Sequence, residues 1–560
     1  MITSAAPQRS HNERLKEASP TLAGTIAATL ADPALDRFSD DDNQFLKFHG
    51  IYQQDDRDRR KTGKFYSLMI RGRIPGGILA PASYLVYDDL ATRHGNNTLR
   101  ITSRQSFQFH GVVKSHLGPL MKSLHEALLT TIAACGDVAR NVMAPPTPVT
   151  NSLGAQLLAD AQRVSDALVP KTPAYHSIWV EGVQLDLEAP ENKHFADPLY
   201  GQAYLPRKFK VAFALPPLND VDLFTNCLGF IAIAGDAGQL LGYNLTAGGG
   251  MGRSHGNGQT FPRLADVIGF LTPGWVIETA KAALTVHRDF GDRSDRKHAR
   301  LKYLLAEKGG AWFRAELEQR LGFKLEEPKP FKFERQGDLF GWHRQQDGRL
   351  FLGLFVEAGR IKDQDGYRLK TALRQVVEKF QPEVRLTPSQ NLLLANLGPE
   401  HQAEITALLA EHGVAVAQQA TVVRRASMAC VALPTCGLAL AEAERFLPGL
   451  LERISGLLAE VGLKDEEIII RMTGCPNGCV RPYTAEIALV GKAPGRYQLY
   501  LGGNESSTRL NRLWQDVVKD AEILDTLRPV LTRFVIERIG RERFGDWCAR
   551  VLWTETPAVK

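Results

Sequence analysis

Ser427-Met428-Ala429-Cys430-Val431-Ala432-Leu433-Pro434-Thr435-Cys436, followed downstream by Thr473-Gly474-Cys475-Pro476-Asn477-Gly478-Cys479, is the stretch that decides the fold. It carries four of the chain's seven cysteines, as two pairs. Glycine and proline around the second pair break regular structure and let the backbone wrap closely around a bound group. Two such segments supply four thiolates, a ligand set for iron–sulfur or for zinc. Three other readings compete: small buried hydrophobes, a disulfide framework and structural zinc. Disulfide frameworks belong to secreted or small proteins. Zinc sites space cysteines by two to four residues, and gaps of five and three fit them poorly. Spacing alone therefore places iron–sulfur ahead of zinc and leaves both open.

Outward from this stretch, basic side chains recur in strand-like segments. Tyr66 to Leu79 reads as a strand with Arg71 and Arg73 two apart, hence on one face. Arg100 to His110 reads as a further strand. Its even positions, Arg100, Thr102, Arg104, Ser106, Gln108 and His110, are polar, and Ile101, Phe107 and Phe109 face a core. A solvated antiparallel face would show the same alternation. This face has no acid, and a donor-rich face without one suits a polyanion. Leu117 to Ala134 has helical spacing and precedes Arg140-Asn141. Tyr204 to Leu215 reads as a strand whose Lys208 and Lys210 share a face and, beside the apolar run Val211 to Leu215, point into a cleft. Residues 262–305, 439–462 and 514–551 read as helical.

An internal echo orders these elements. Arg385-Leu386-Thr387-Pro388-Ser389-Gln390 repeats the pattern Arg100-Ile101-Thr102-Ser103-Arg104-Gln105. Beyond each copy come a helix and a candidate ligand loop, Arg140-Asn141 in one and Met428 to Cys436 in the other. A duplicated α+β unit with a cofactor at its pseudo-twofold seam follows. The expected organisation is an N-terminal arm over 1–43, disordered or packed on a partner, and first and second halves of the duplicated unit over 44–150 and 333–420. Cofactor-binding domains would cover 151–332 and 421–560.

Composition bounds the function. At 560 residues, with 44% apolar and 23% charged residues, the chain suits several soluble globular domains. A net charge of +6 fits an anionic cofactor or substrate as readily as nucleic acid. The charged segment His287 to Lys302 is interrupted by Asp289, Asp292 and Asp295, which argues against nucleic acid. Gly248-Gly249-Gly250-Met251-Gly252 fails the dinucleotide fingerprint, because Arg253 stands where the third glycine is needed, and there is no P-loop. An odd number of cysteines, no apolar leader in Met1 to Thr21 and no membrane-length apolar run make the cytoplasm the expected location, with no membrane partner.

The paired cysteine motif, with Ala441-Glu442-Ala443-Glu444-Arg445-Phe446-Leu447-Pro448 between its halves, resembles the haemoprotein (beta) subunits of assimilatory sulfite reductase, within the sirohaem-dependent sulfite and nitrite reductases. The resemblance runs from about Phe45 to Gly503 and implies the duplicated sulfite/nitrite reductase fold, mixed sheets flanked by helices. It implies a [4Fe–4S] cluster on Cys430, Cys436, Cys475 and Cys479, with Cys479 bridging to the sirohaem iron. It further implies sirohaem contacts from Arg100, Arg104, Gln108, Arg207, Gln390 and Asn477. Around the substrate it places Arg71, Arg140, Lys208 and Lys210. The implied reaction is six-electron reduction of sulfite to hydrogen sulfide for cysteine biosynthesis, with nitrite reduction as the alternative. Electrons would come from NADPH through a flavoprotein (alpha) subunit carrying FAD and FMN, or else from ferredoxin.

Overall fold

The fold is taken from a computed structural model, which describes residues 8–172, 195–416 and 420–555 and the backbone of two short strands, Trp179–Val180 and Val183–Gln184. Two antiparallel sheets form its centre. The first runs in the order Ile51–Asp55, Tyr66–Arg71, Phe107–Val112, Leu99–Ile101, Arg360–Ile361. The second runs Gly341–Arg344, Leu350–Leu354, Leu392–Leu397, Glu383–Leu386, Ile78–Leu79. Each sheet therefore closes on a two-residue strand donated by the other half: Arg360 pairs with Arg100, and Ile78 with Arg385.

The exchange depends on two glycines in the left-handed region. A Cβ on Gly77 (φ +73°) would lie 2.5 Å from Leu386 O, and one on Gly359 (φ +74°) would lie 2.5 Å from Ile101 O. Only glycine allows that approach. Against the sheets pack the helices Pro81–His94 and Leu369–Phe380. The second places Leu369, Ala372, Leu373, Val376 and Val377 on one buried stripe, the i, i+3, i+4 spacing of an amphipathic helix. Burying each of the larger of these side chains is worth about 1.5–3 kcal/mol. Residues of both halves, from Ile70 and Phe109 to Leu352 and Leu394, make one core.

Two further sheets match strand for strand. One runs Val211–Ala214, Leu228–Ala234, Leu240–Ala247, Asp266–Leu271. The other runs Met428–Ala429, Ile470–Thr473, Ile487–Ala493, Arg496–Leu501, Arg512–Lys519. In both, the first long strand pairs in parallel with the next and the rest are antiparallel. Met143 bridges Ala212 in parallel just as Met428 pairs with Arg471, so Met143 takes the place of Met428. The duplicated α+β fold inferred from the echo is the fold observed.

Several local expectations change. Arg100 to His110 is not one strand: Leu99–Ile101 and Phe107–Val112 flank a turn in which Gln105 adopts φ 51°, and Gln390 repeats it with φ 70°. The alternating face is thus broken, because a hairpin reverses the chain. Arg73 lies beyond the strand end and is buried against Ser165 and the carbonyl of Ala139, so it does not project with Arg71. Helix Lys114–Glu126 stops short of Ala134. Lys208 and Lys210 precede the strand Val211–Ala214 instead of lying in it. Strands Asp266–Leu271 and Arg512–Lys519 interrupt spans read as helical, and the helix expected from Ala439 begins at Leu447, with Pro448 in its first turn. From residue 8 onward the N-terminal arm packs on its own chain. Lys16 is buried, donating to Glu13 at 2.6 Å and to Leu205 O at 2.7 Å.

Candidate active site

Two loops carry the cysteines. The first follows the strand Met428–Ala429; the second joins Ile470–Thr473 to the turn Pro482–Thr484. Gly474 closes them together: its N–H donates to Cys430 Sγ at 3.2 Å, and a Cβ there would meet Ala441 O at 2.6 Å. Cys475 is buried, Cys430 and Cys436 are half-buried and Cys479 is exposed. Burial pushes the Cys430 thiol up to about 12 and raises Cys475 and Cys436, and in each case Cys479 is the next largest cause. The four sulfurs thus sit within electrostatic reach of one another. Among the described residues no three His, Cys, Asp or Glu side chains gather closely enough for a single ion.

A second group of side chains, cationic, faces Cys479. Arg71 ends its strand opposite Gln108 and reaches Cys135 Sγ at 3.3 Å. With its amide oxygen turned to Arg71, Gln108 accepts from Nη2 at 2.6 Å and Nε at 3.2 Å. Arg140 is braced by the carbonyls of Gly136 (2.8 Å) and Ala134 (3.3 Å). Arg104 donates to Asn226 Oδ1 and Val211 O, both at 2.8 Å, and burial brings it down to about 9, still protonated at neutral pH. Arg207, lowered to about 10 by burial, stands 3.7 Å from Asp137, the acid that also holds Arg296 at 2.6 Å.

Lys208 and Lys210 are pushed well below the usual lysine range, first by burial and then by neighbouring cations. Those cations are Arg207, Arg300 and Arg140 for Lys208, and Arg104, Lys208 and Arg300 for Lys210. Cys479 acts in the opposite direction on Lys208 and helps raise Arg71, so the thiol loop and the cation group meet at Cys479. Ser103 Oγ, from the first half's turn, also donates to Cys479 O at 2.7 Å. Asn477 is half-buried beside Gly252, where a Cβ would lie 3.2 Å from its carbonyl. Two more of the expected members are buried. Arg100 is taken up by Glu444 at 2.9 Å and Ala429 O at 2.8 Å. Gln390 is buried in its turn with Oε1 unpartnered.

Arg300 and Lys302 belong to this group and escaped sequence reading. Arg300 Nη2 lies 3.6 Å from Cys227 Sγ; Lys302 donates to the carbonyls of Gly250 and Gly252. Arg300-Leu301-Lys302 repeats the alternation of Lys208-Phe209-Lys210, a signal available in the sequence but masked by the neighbouring acids. Two buried donors here have no partner, Arg104 Nε and Arg300 Nε. Buried donors and crowded cations of this kind are costly unless an anion meets them. The residues present therefore fit a polyanionic group seated against the thiol loop.

Comparison with known proteins agrees with this geometry. Residues 159–325 match the family described as "Nitrite and sulphite reductase 4Fe-4S domain". Residues 58–127 and 343–412 each match "Nitrite/Sulfite reductase ferredoxin-like half domain". The chain is 48% identical over 544 residues to the sulfite reductase [NADPH] hemoprotein beta-component of Geobacillus kaustophilus, covering 96% of this chain and 95% of that one. It is 48% identical over 555 residues to the protein of the same name from Myxococcus xanthus, covering 98% and 97%. Among solved structures, the NirA protein of Mycobacterium tuberculosis superposes with a TM-score of 0.79 at 26% identity, over 98% of this chain and 97% of that one. With both half domains present and near full-length identity approaching one half, the chain belongs to the nitrite and sulfite reductase family, alongside the sulfite reductase hemoprotein beta-components.

Proposed function

We propose that this chain is the haemoprotein subunit of an assimilatory sulfite reductase, reducing sulfite to hydrogen sulfide with sirohaem and a [4Fe–4S] cluster. The observation that carries the reading is that the Cys475–Cys479 loop, tied to Cys430 by the Gly474 N–H and to the first half by Ser103 Oγ, meets a group of buried cations. Cys430, Cys436, Cys475 and Cys479 would hold the cluster. Arg104, Arg207, Gln390 and Asn477 would meet the carboxylates and edges of sirohaem, with Arg300 and Lys302 beside them. Arg100, engaged by Glu444, would act on the cluster side, and Gln108 would orient Arg71.

Sirohaem and cluster, when bound, would relay to sulfite the six electrons that an outside donor provides and that no side chain can carry. The chain's own residues do the rest. Arg71 and Arg140 can fix an oxyanion through paired N–H groups. Lys208 and Lys210, whose affinity for protons is weakened by burial and by neighbouring cations, can release protons to departing oxygens, which leave as water. The Gly136 and Ala134 carbonyls hold Arg140 in place while it does so.

Electrons reach the site from outside, since no dinucleotide motif is present. The relatives' names point to an NADPH-linked system, and a flavoprotein alpha subunit carrying FAD and FMN is the donor we assign. No helix among the described residues is long and apolar enough to cross a membrane, and all seven cysteines are unpaired, which suits a reducing cytoplasm. The test is the visible spectrum with iron and acid-labile sulfide analysis, followed by turnover of sulfite against nitrite with NADPH and flavoprotein. A colourless, iron-free protein from cells able to make sirohaem overturns the reading; faster nitrite turnover overturns the substrate.

A further inference from the structure

The register of the duplication places Arg425 where the first copy has Arg140. Arg140-Asn141-Val142-Met143-Ala144 lies over Arg425-Ala426-Ser427-Met428-Ala429, anchored by the equivalent pairings of Met143 and Met428. Arg425 lines a cavity of about 690 Å³ in the second half, with Phe340, Glu357, Arg360, Lys362 and Arg424. We propose that this cavity is a second oxyanion site, anchored by Arg425 and taking a small inorganic oxyanion of the phosphate, sulfate or sulfite class.

The cavity's other guanidinium groups are already neutralised. Arg424 is bound to Glu357 at 2.5 Å and Glu452 at 3.4 Å, and Arg360 to Glu444 at 2.7 Å. Arg425 has no ion pair or hydrogen bond from its side chain among the described residues, and its Nη1 is buried without a partner. Its guanidinium lies 5.6 Å from the Phe340 ring centroid, within reach of a cation–π contact that uses none of its N–H donors. A buried guanidinium edge without an acceptor is a standing cost that a bound oxyanion removes. Lys362, on the rim, adds charge of the same sign.

The occupant is small. In the first copy Arg71 stands opposite Gln108; the matching register in the second sets Gly353 opposite Leu393. The backbone of Leu339 and Phe340 crosses directly over Gly353. That segment takes the place which the Arg71 side chain has in the first copy. The inference rests on the duplicated frame and not on the sulfite reading, so the two fail separately.

The experiment is equilibrium dialysis of the holoprotein against radiolabelled inorganic phosphate, with sulfite turnover and thermal melting measured alongside. Wild type is expected to bind one equivalent more than Arg425→Gln, with turnover within about twofold and melting unchanged. Arg425→Lys, which keeps the cation, is expected to retain that equivalent at weaker affinity. If folded Arg425→Gln binds as many equivalents as wild type, or if Arg425→Lys and Arg425→Gln bind alike, the site does not exist.

Discussion

The loop Leu215-Pro216-Pro217-Leu218-Asn219-Asp220-Val221-Asp222 and the loop Gly474-Cys475-Pro476-Asn477-Gly478-Cys479-Val480-Arg481 occupy the same place in the two copies. Each joins a parallel strand to a short turn and then to the next strand of its sheet. Pro217 matches Pro476, Val221 matches Val480, and the last residue of each is left-handed, Asp222 at φ 47° and Arg481 at φ 55°. The backbone has been kept and the chemistry divided. The second loop carries two thiols where the first has Pro216 and Asp220; the first copy has Lys208 and Lys210 where the second has Glu467 and Ile469. The matched ends meet: Asp222 forms an ion pair with Arg481, and with Arg471 at 2.9 Å. The pairing joins the loop of one copy to that of the other, so thiols from one half and cations from the other can serve a single site.

The sharpest way to break this division is to make the loops alike. Cys479→Asp, which puts into the second loop what the first carries, should leave the fold intact and abolish sulfite reduction. Iron and acid-labile sulfide content would fall with it; full activity would show that the loops are not specialised. Next, Arg140→Ala should keep the cofactor spectrum and lower sulfite turnover by about 10²–10³-fold, the usual effect of losing one fixed charge at a reacting group. Steady-state rates at saturating donor check this, and Lys208→Ala should behave in the same direction.

Asp222→Ala tests the contact between copies. It leaves Arg481 and Arg471 buried without their carboxylate and should cost about 3–5 kcal/mol in denaturant unfolding of the apoprotein. A cost near zero would mean that the halves do not depend on their shared pair. The smallest effect concerns pH. Burial, and then the charge of Asp338, pushes Asp220 up to about 7, whereas its ordinary value is 3.8. The folded state therefore binds a proton that the unfolded state releases. The resulting stability is complete below pH 3.8 and is lost as pH rises through about 7. Asp220→Asn should remove a slope of up to about 1.4 kcal/mol per pH unit from the stability curve in that window. An unchanged slope would assign the titration to Asp338, itself raised to about 6 by burial.

Much of the site was legible because its chemistry is local. The echo of Arg100 to Gln105 in Arg385 to Gln390 is a true structural equivalence: both segments turn at a left-handed glutamine. Lys208 and Lys210 were read from spacing, and they do face other cations. The exchanged strands Ile78–Leu79 and Arg360–Ile361 were not legible, because two residues carry no periodicity and pairing across halves leaves no local trace. Arg73 was misplaced for a related reason. An arginine buried against Ser165 has the same sequence appearance as one pointing into a cleft.

The sequence by itself determined the two cysteine pairs, the duplication and the excess of cations, since residue identity and spacing are one-dimensional properties. Which cations converge was decided only by the tertiary structure. Arg300 and Lys302 join Lys208 and Lys210, Arg100 is diverted to Glu444, and Arg425 is left facing a cavity of its own. The physical reason is that a charge's role depends on which opposite charge lies within a few ångströms, and that distance is set by strands and loops far apart in the chain.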